Sequence, residues 1–170
     1  YANDTFGNMN SSQVTFSVDS IIPQISIISP LNGTNSSNNL LNVNYTVSDT
    51  NGLSSCWYSN DSYTLNITLA SCSTNITTIT WVDGLHNVRV YTNDTSNNVN
   101  SSSINFMIDT TKPSVTNLLV SPASPAGYSE NGIYTFNATV TDSTLANVWI
   151  NFNGINYSAS TTGSNVYNFS

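Results

Sequence analysis

The sequence predicts an all-β protein built of tandem β-sandwich domains. Three observations carry the prediction: apolar residues recurring at every second position, turn formers standing between those runs, and a self-similarity of the chain at a spacing near 90 residues. Step-two alternation marks a strand with one face in a core and the other in water. No stretch of the sequence repeats apolar residues at helical spacing.

Taken in order, Val14, Phe16 and Val18 alternate in the first twenty residues. Leu41, Val43, Tyr45 and Val47 share a face while Asn42, Asn44 and Thr46 take the other. Leu65, Ile67 and Leu69 alternate with Asn66 and Thr68, and "NVRVY" follows a "DGL" turn. Ile104, Phe106 and Ile108 alternate with Asn105 and Met107, and further strands are predicted near 115–120, 134–140 and 148–152. Asn-Gly pairs at Asn32, Asn51, Asn131 and Asn153, and Asp-Gly at Asp83, are turn signals because both residue types tolerate positive φ. About seven short strands per ~90 residues is the arithmetic of an immunoglobulin-like sandwich. The fold class is therefore tandem immunoglobulin-like β-sandwich domains.

The repeat is explicit. Shifting the chain by 90 positions aligns Tyr1 with Tyr91 for 26 positions without a gap, eleven of them identical, Asp4/Asp94, Phe16/Phe106, Asp19/Asp109 and Pro23/Pro113 included. "NYTVSD" (44–49) recurs as "NATVTD" (137–142), and Trp57 as Trp149. A fixed period means tandem modules. The expected division is a terminal hairpin of a preceding domain at 1–20, a complete domain at 21–110, and the first part of a further domain at 111–170. The chain is expected to be either a window of a longer array or a subunit whose residues 1–20 complete that last part in a neighbouring copy, because an open sandwich would leave Phe136, Val140, Ile150 and a row of backbone groups uncovered.

Composition narrows the job. The chain has two basic residues, Arg89 and Lys112, against nine carboxylates, a net charge of −7, and 78 Asn, Ser and Thr among 170 residues. Nucleic acid and polybasic membrane contacts are excluded, since both need clustered Lys or Arg. Nine Tyr, six Phe and three Trp supply core material. No apolar run reaches the ~20 residues of a membrane helix. Cys56 and Cys72, with fifteen residues between them, read as a disulfide closing one local loop, and hence as a mark of an oxidising compartment.

The constellation "Y-x-N-D-T-x-x-N-x-N-S-S…F-x-x-D…P", with an upstream "N-x-T-V-x-D" strand, resembles the tandem Ig-like repeats of large archaeal and bacterial cell-surface proteins. That resemblance implies extracellular stalks, coats, filaments or adhesins, and carries no catalytic residues. The Cys56–Cys72 spacing departs from antibody-type domains, whose bridge joins the two sheets across a distant spacing.

Candidate sites follow. Thirteen Asn-x-Ser/Thr sequons stand at Asn3, Asn10, Asn32, Asn35, Asn44, Asn60, Asn66, Asn75, Asn93, Asn100, Asn137, Asn156 and Asn168, against about eight expected by chance. N-linked glycans on several are expected, with Asn44, Asn66 and Asn137 on the polar faces of strands. Asp19, Asp49, Asp94, Asp109 and Asp142 recur at domain ends and are calcium candidates. Against that, each junction offers two or three carboxylates where calcium takes six or more oxygens, and Asp favours turns for its own hydrogen bonds. His86, the only histidine, reads as a surface strand residue, since no Ser or Cys stands in a catalytic pattern around it. Trp57 and Trp149 are assigned to packing, and no carboxylate pair suggests glycosidase chemistry. No metal or cofactor is otherwise called for.

The expected function is structural and non-enzymatic: a glycosylated module of an extracellular filament, appendage or coat, partnered by copies of itself or by adjacent repeats. The rival is an adhesin acting through loops such as "SNDSY" (59–63) or "SPASPAGYSENG" (121–132).

Overall fold

A computed structural model describes residues 1–123, 127, 130–163 and 165–169. The protein is all-β, with no helix among the described residues, and its several sheets are those of a sandwich-type architecture. Two compact units form: Tyr1–Thr34, Leu40–Thr80 and Leu85–Met107 make the first, and Asn35–Asn39, Trp81–Gly84 and Ile108–Ser170 the second.

The first unit opens with a short hairpin, β1 (Ala2–Asn3) against β2 (Met9–Asn10). Then follow β3 (Gln24–Ser29), β4 (Thr34–Ser36), β5 (Asn44–Ser48), β6 (Leu53–Asn60), β7 (Ile67–Thr68), β8 (Gly84–Asp94) and β9 (Val99–Ile108). β3 and β5 pair antiparallel as one sheet, and β4-β9-β8-β6-β7 is the order of the other. Along β8 the alternation of sequence becomes an alternation of burial: His86, Val88, Val90, Thr92 and Asp94 point inward, while Asn87, Arg89, Tyr91 and Asn93 face outward. Ile104 and Phe106 on β9, Cys56 and Tyr58 on β6, and Val43 and Tyr45 at β5 complete the inward set. The Cys56–Cys72 bridge forms, with Cα atoms 5.1 Å apart. It ties β6 to the loop beyond β7 and stabilises by about 3 kcal/mol through the unfolded chain.

The second unit contains β10 (Ser114–Ser121), β11 (Thr135–Thr141), β12 (Trp149–Phe152), β13 (Ile155–Ser158), β14 (Ser160–Gly163) and β15 (Val166–Phe169). One sheet runs β10-β11-β15-β14, and β12-β13 stand as a separate hairpin. Asn153 (φ 50°) and Gly154 (φ 82°) form the turn of that hairpin, as the Asn-Gly signal predicts for two consecutive positive-φ positions.

Four expectations are corrected. Val14, Phe16 and Val18 form no strand and are 80–84% exposed, whereas their counterparts Ile104, Phe106 and Ile108 are at most 6% exposed. The same pattern is buried only where neighbouring strands are supplied. The 65–69 run shortens to the two residues of β7, since Leu65 and Asn66 are both exposed and leave no alternation to bury. Val140 is buried and Phe136 half-buried on β11, which lies inside its sheet, and Ile150 on β12 is half-buried; the exposed apolar residues of this unit include Val115, Leu118, Leu119 and Trp149. Trp149 is thus 57% exposed rather than packed, and Trp81, which no strand pattern singled out, is 3% exposed.

The contrast between copies gives a direct test. Phe106→Ala should cost about 3–5 kcal/mol in denaturant unfolding, and Phe16→Ala at the equivalent position less than about 0.5 kcal/mol in the monomer.

Candidate functional site

The repeated "NDTxxN" stretch is a hairpin turn organised by its aspartate. Asp94 Oδ1 accepts the backbone N–H groups of Ser96 and Asn98, both at 2.8 Å, and Oδ2 accepts Asn98 Nδ2 at 2.7 Å. Asp4 Oδ1 accepts Phe6 N and Asn8 N at 2.9 Å, and its Oδ2 accepts Asn8 Nδ2 at 2.6 Å. The backbone closes alike in both, from Asp94 N to Asn98 O and from Asp4 N to Asn8 O. The one position of the turn with positive φ is Asn97 in one copy and Gly7 in the other. Asp, Thr and Asn at this spacing are therefore turn chemistry, the carboxylate taking N–H groups that no strand partner reaches.

Other junction motifs repeat atom for atom. Asp19 Oδ1 accepts Ile21 N and Asp109 Oδ1 accepts Thr111 N, each at 3.0 Å. Asp49 Oδ1 accepts Asn51 N and Asp142 Oδ1 accepts Thr144 N, each at 2.7 Å. Strand register repeats as well: Gln24 and Ile25 pair with Ser48 and Val47 as Ser114 and Val115 pair with Thr141 and Val140.

In the first unit these motifs converge. Asp19, Asp49 and Asp94 each place a carboxylate oxygen within 4.8 Å of the others, with Asp94 wholly buried. Asn98 Nδ2 also donates to the Asp19 carbonyl at 3.1 Å, and Asn100 Nδ2 to the Pro23 carbonyl at 2.8 Å, which fixes the 19–23 segment against β9. Burial pushes the Asp94 carboxyl up, but the hydrogen bonds from Asn98 and Ser96 and the contact with Asp19 outweigh it and hold it below the ordinary range. Asp109 and Asp142, in the second unit, meet through Thr144, whose Oγ1 lies 2.6 Å from Asp109 Oδ2 and 3.1 Å from Asp142 Oδ1. No third carboxylate joins them among the described residues. Asp83, a turn signal in the sequence, also accepts Thr110 N, Thr110 Oγ1 and Thr111 Oγ1.

His86 is a correction: it is 4% exposed, lies 5.6 Å from the Phe106 ring, and has Nδ1 3.2 Å from Asp61 Oδ1. Its inward position on β8 needs a polar partner, and the 59–63 loop supplies one. That loop is further fixed by Asn87 N donating to Asp61 and by the Arg89 guanidinium 5.1 Å over the Tyr63 ring. Trp57 lies on the outer side of β6, stacked on its cross-strand partner Tyr91 at 5.4 Å and 4°. The 121–132 loop lies partly outside the described residues, as does Ser170 of the Asn168 sequon. None of the thirteen sequon asparagines is buried; Asn66, Asn75 and Asn156 are among the exposed ones, while Asn44 and Asn137 are half-buried.

No family model matches the chain, and no curated protein matches it. The intramolecular disulfide fits an oxidising environment. No described helix is long and apolar enough to cross a membrane.

Asn98→Ala removes two side-chain hydrogen bonds and leaves a buried carboxylate short of a donor, so it should cost about 1–3 kcal/mol. Asn8→Ala, at the exposed copy of the turn, should cost under about 0.5 kcal/mol by the same urea titration. Asp83 gives a pH signature. The backbone N–H of Thr110 and the hydroxyls of Thr110 and Thr111 hold its carboxyl below the usual 3.8. Its contribution is full above that value and lost as pH falls through the lower folded value, so Asp83→Asn should flatten the acid limb of a stability-against-pH curve.

Proposed function

We propose that the chain is a structural, non-enzymatic Ig-like repeat module of an extracellular surface filament or coat, N-glycosylated and joined serially to copies of itself. The observation that carries this reading is the recurrence of whole local structures, turn and register together, at offsets of 90 to 93 residues. A chain whose recurring content is a module, turn and register alike, has serial repetition as its task.

The proposed joint is strand complementation. In the first unit β6 is flanked by β8 and β7, and Trp57 of β6 stacks on Tyr91 of β8. The counterpart of β6 in the second unit is β12, flanked by β13 alone, and its Trp149 is 57% exposed. The counterpart of Tyr91 is Tyr1, 99% exposed, followed by Phe6, Met9, Val14, Phe16 and Val18, each at least 73% exposed. Residues 1–18 of one copy would therefore enter beside β12 of another, Tyr1 on Trp149. Phe16 would enter the apolar groove of Val115, Leu118, Phe136, Val140, Ile150 and Phe169. A head-to-tail contact of this kind propagates without closing. With two basic residues in the chain, the lysine guards that usually blunt edge strands are missing, so glycans and partner strands are left to cover the edges.

Sedimentation velocity over a range of concentrations tests the reading. Growing linear oligomers are expected, with Phe16→Asp or Trp149→Ser weakening association at least tenfold and leaving the melting of the disulfide-bonded unit unchanged. A chain that stays monomeric at millimolar concentration would overturn it.

A further inference from the structure

We infer that Asp19, Asp49 and Asp94 form a calcium site that clamps the segment leaving the first hairpin onto the domain that follows. The inference stands on two observations. One oxygen from each carboxylate lies within 4.8 Å of the other two. In addition, the Oδ2 atoms of Asp19 and Asp49 are sealed from solvent and have no hydrogen-bond donor. Turn geometry explains only half of each group: Asp19 Oδ1 accepts Ile21 N, Asp49 Oδ1 accepts Asn51 N, and the second oxygen of each is left without a donor in a cluster that includes the completely buried Asp94.

Buried carboxylate oxygens without donors are rare because desolvation is uncompensated. Two such oxygens stand here, and bringing three carboxylates together adds mutual repulsion. The usual protein remedy is not at hand. Of the two basic side chains, Arg89 packs over Tyr63, and the one ion pair among the described residues is His86 with Asp61. A bound cation would compensate all three carboxylates at once. The donor set is all oxygen, which suits a hard ion and not a thiolate- or imidazole-seeking one. At Ca–O distances of about 2.3–2.6 Å, oxygens on opposite sides of the ion stand about 5 Å apart, so the observed spread fits around one calcium. Backbone oxygens and water fill the remaining positions, as calcium commonly allows.

The site spans sequence rather than sitting in one loop. Asp19 precedes β3, Asp49 follows β5, and Asp94 ends β8. An ion there joins three separate segments, whereas in its absence the same carboxylates push them apart.

The test uses the 170-residue chain and calcium chloride alone. Thermal unfolding in chelator and in a hundredfold excess of calcium over its Kd should differ by about 10 °C. Asp19→Asn and Asp49→Asn keep the Oδ1 acceptor each turn needs and so should fold. Both should melt no lower than the parent chain in chelator, and both should lose at least tenfold in calcium affinity by isothermal titration. Asp61→Asn, in the loop after β6 and outside the cluster, should retain the full calcium response. A parent chain with no heat of binding and no shift at 10 mM calcium would overturn the inference, as would an undiminished response in the Asp19 and Asp49 variants.

Discussion

Asp94 is fully buried, and both of its oxygens are taken by the turn that follows it. That turn joins β8 to β9, the two longest strands, and so positions the inward row Val88, Val90 and Thr92 near Ile104 and Phe106. The same Asn98 that holds Asp94 also holds the Asp19 carbonyl, and Asn100 two residues on holds Pro23. A single carboxylate-centred turn thus sets the core hairpin and pins the incoming chain. The hydrogen bonds are charge-assisted, the stronger kind, and they are made where water cannot compete.

The rest of the molecule relies on neutral polar groups. Asn side chains cap turns, pair strands and receive backbone N–H groups, as when Asn93 Oδ1 accepts both Ser55 N and Ser55 Oγ, or Asn32 Oδ1 accepts Asn105 N. Such bonds are insensitive to ionic strength, in contrast to surface ion pairs, which salt screens. A fold held by hydrophobic alternation, amides, hydroxyls and one disulfide depends little on ionic strength.

The two copies of the repeat separate local from tertiary effects. The turn at Asp4–Asn8 forms with the same bonds as that at Asp94–Asn98, although every residue of the first is exposed. Eight to twelve residues after those aspartates the copies part: Phe106 is fully buried, and Phe16 is 84% exposed with no strand around it. Side-chain-to-backbone hydrogen bonds need only neighbours in sequence. A half-buried strand needs a ladder and a facing sheet, which the sequence of that strand does not contain.

This difference marks what was legible. The all-β class, β10 to β12 of the second unit, the Asn153-Gly154 hairpin and the Cys56–Cys72 bridge were set by sequence, because alternation, turn chemistry and a short loop between cysteines act locally. The acidic residues could be named one by one, each as a turn former. Tertiary structure alone decided that Asp19, Asp49 and Asp94, up to 75 positions apart, come together while Asp109 and Asp142 meet through Thr144 with no third carboxylate among the described residues. It also decided that His86 faces the core, because the inward phase of β8 is fixed by Val88 and Val90 and carries the histidine in with them. Trp81 lies outside any alternating run, so its burial had no local signal, and Trp149 shared the sequence position of Trp57 without the tyrosine that covers it. Local chemistry chose the turns and the faces; convergence of distant segments chose which of those faces found a partner.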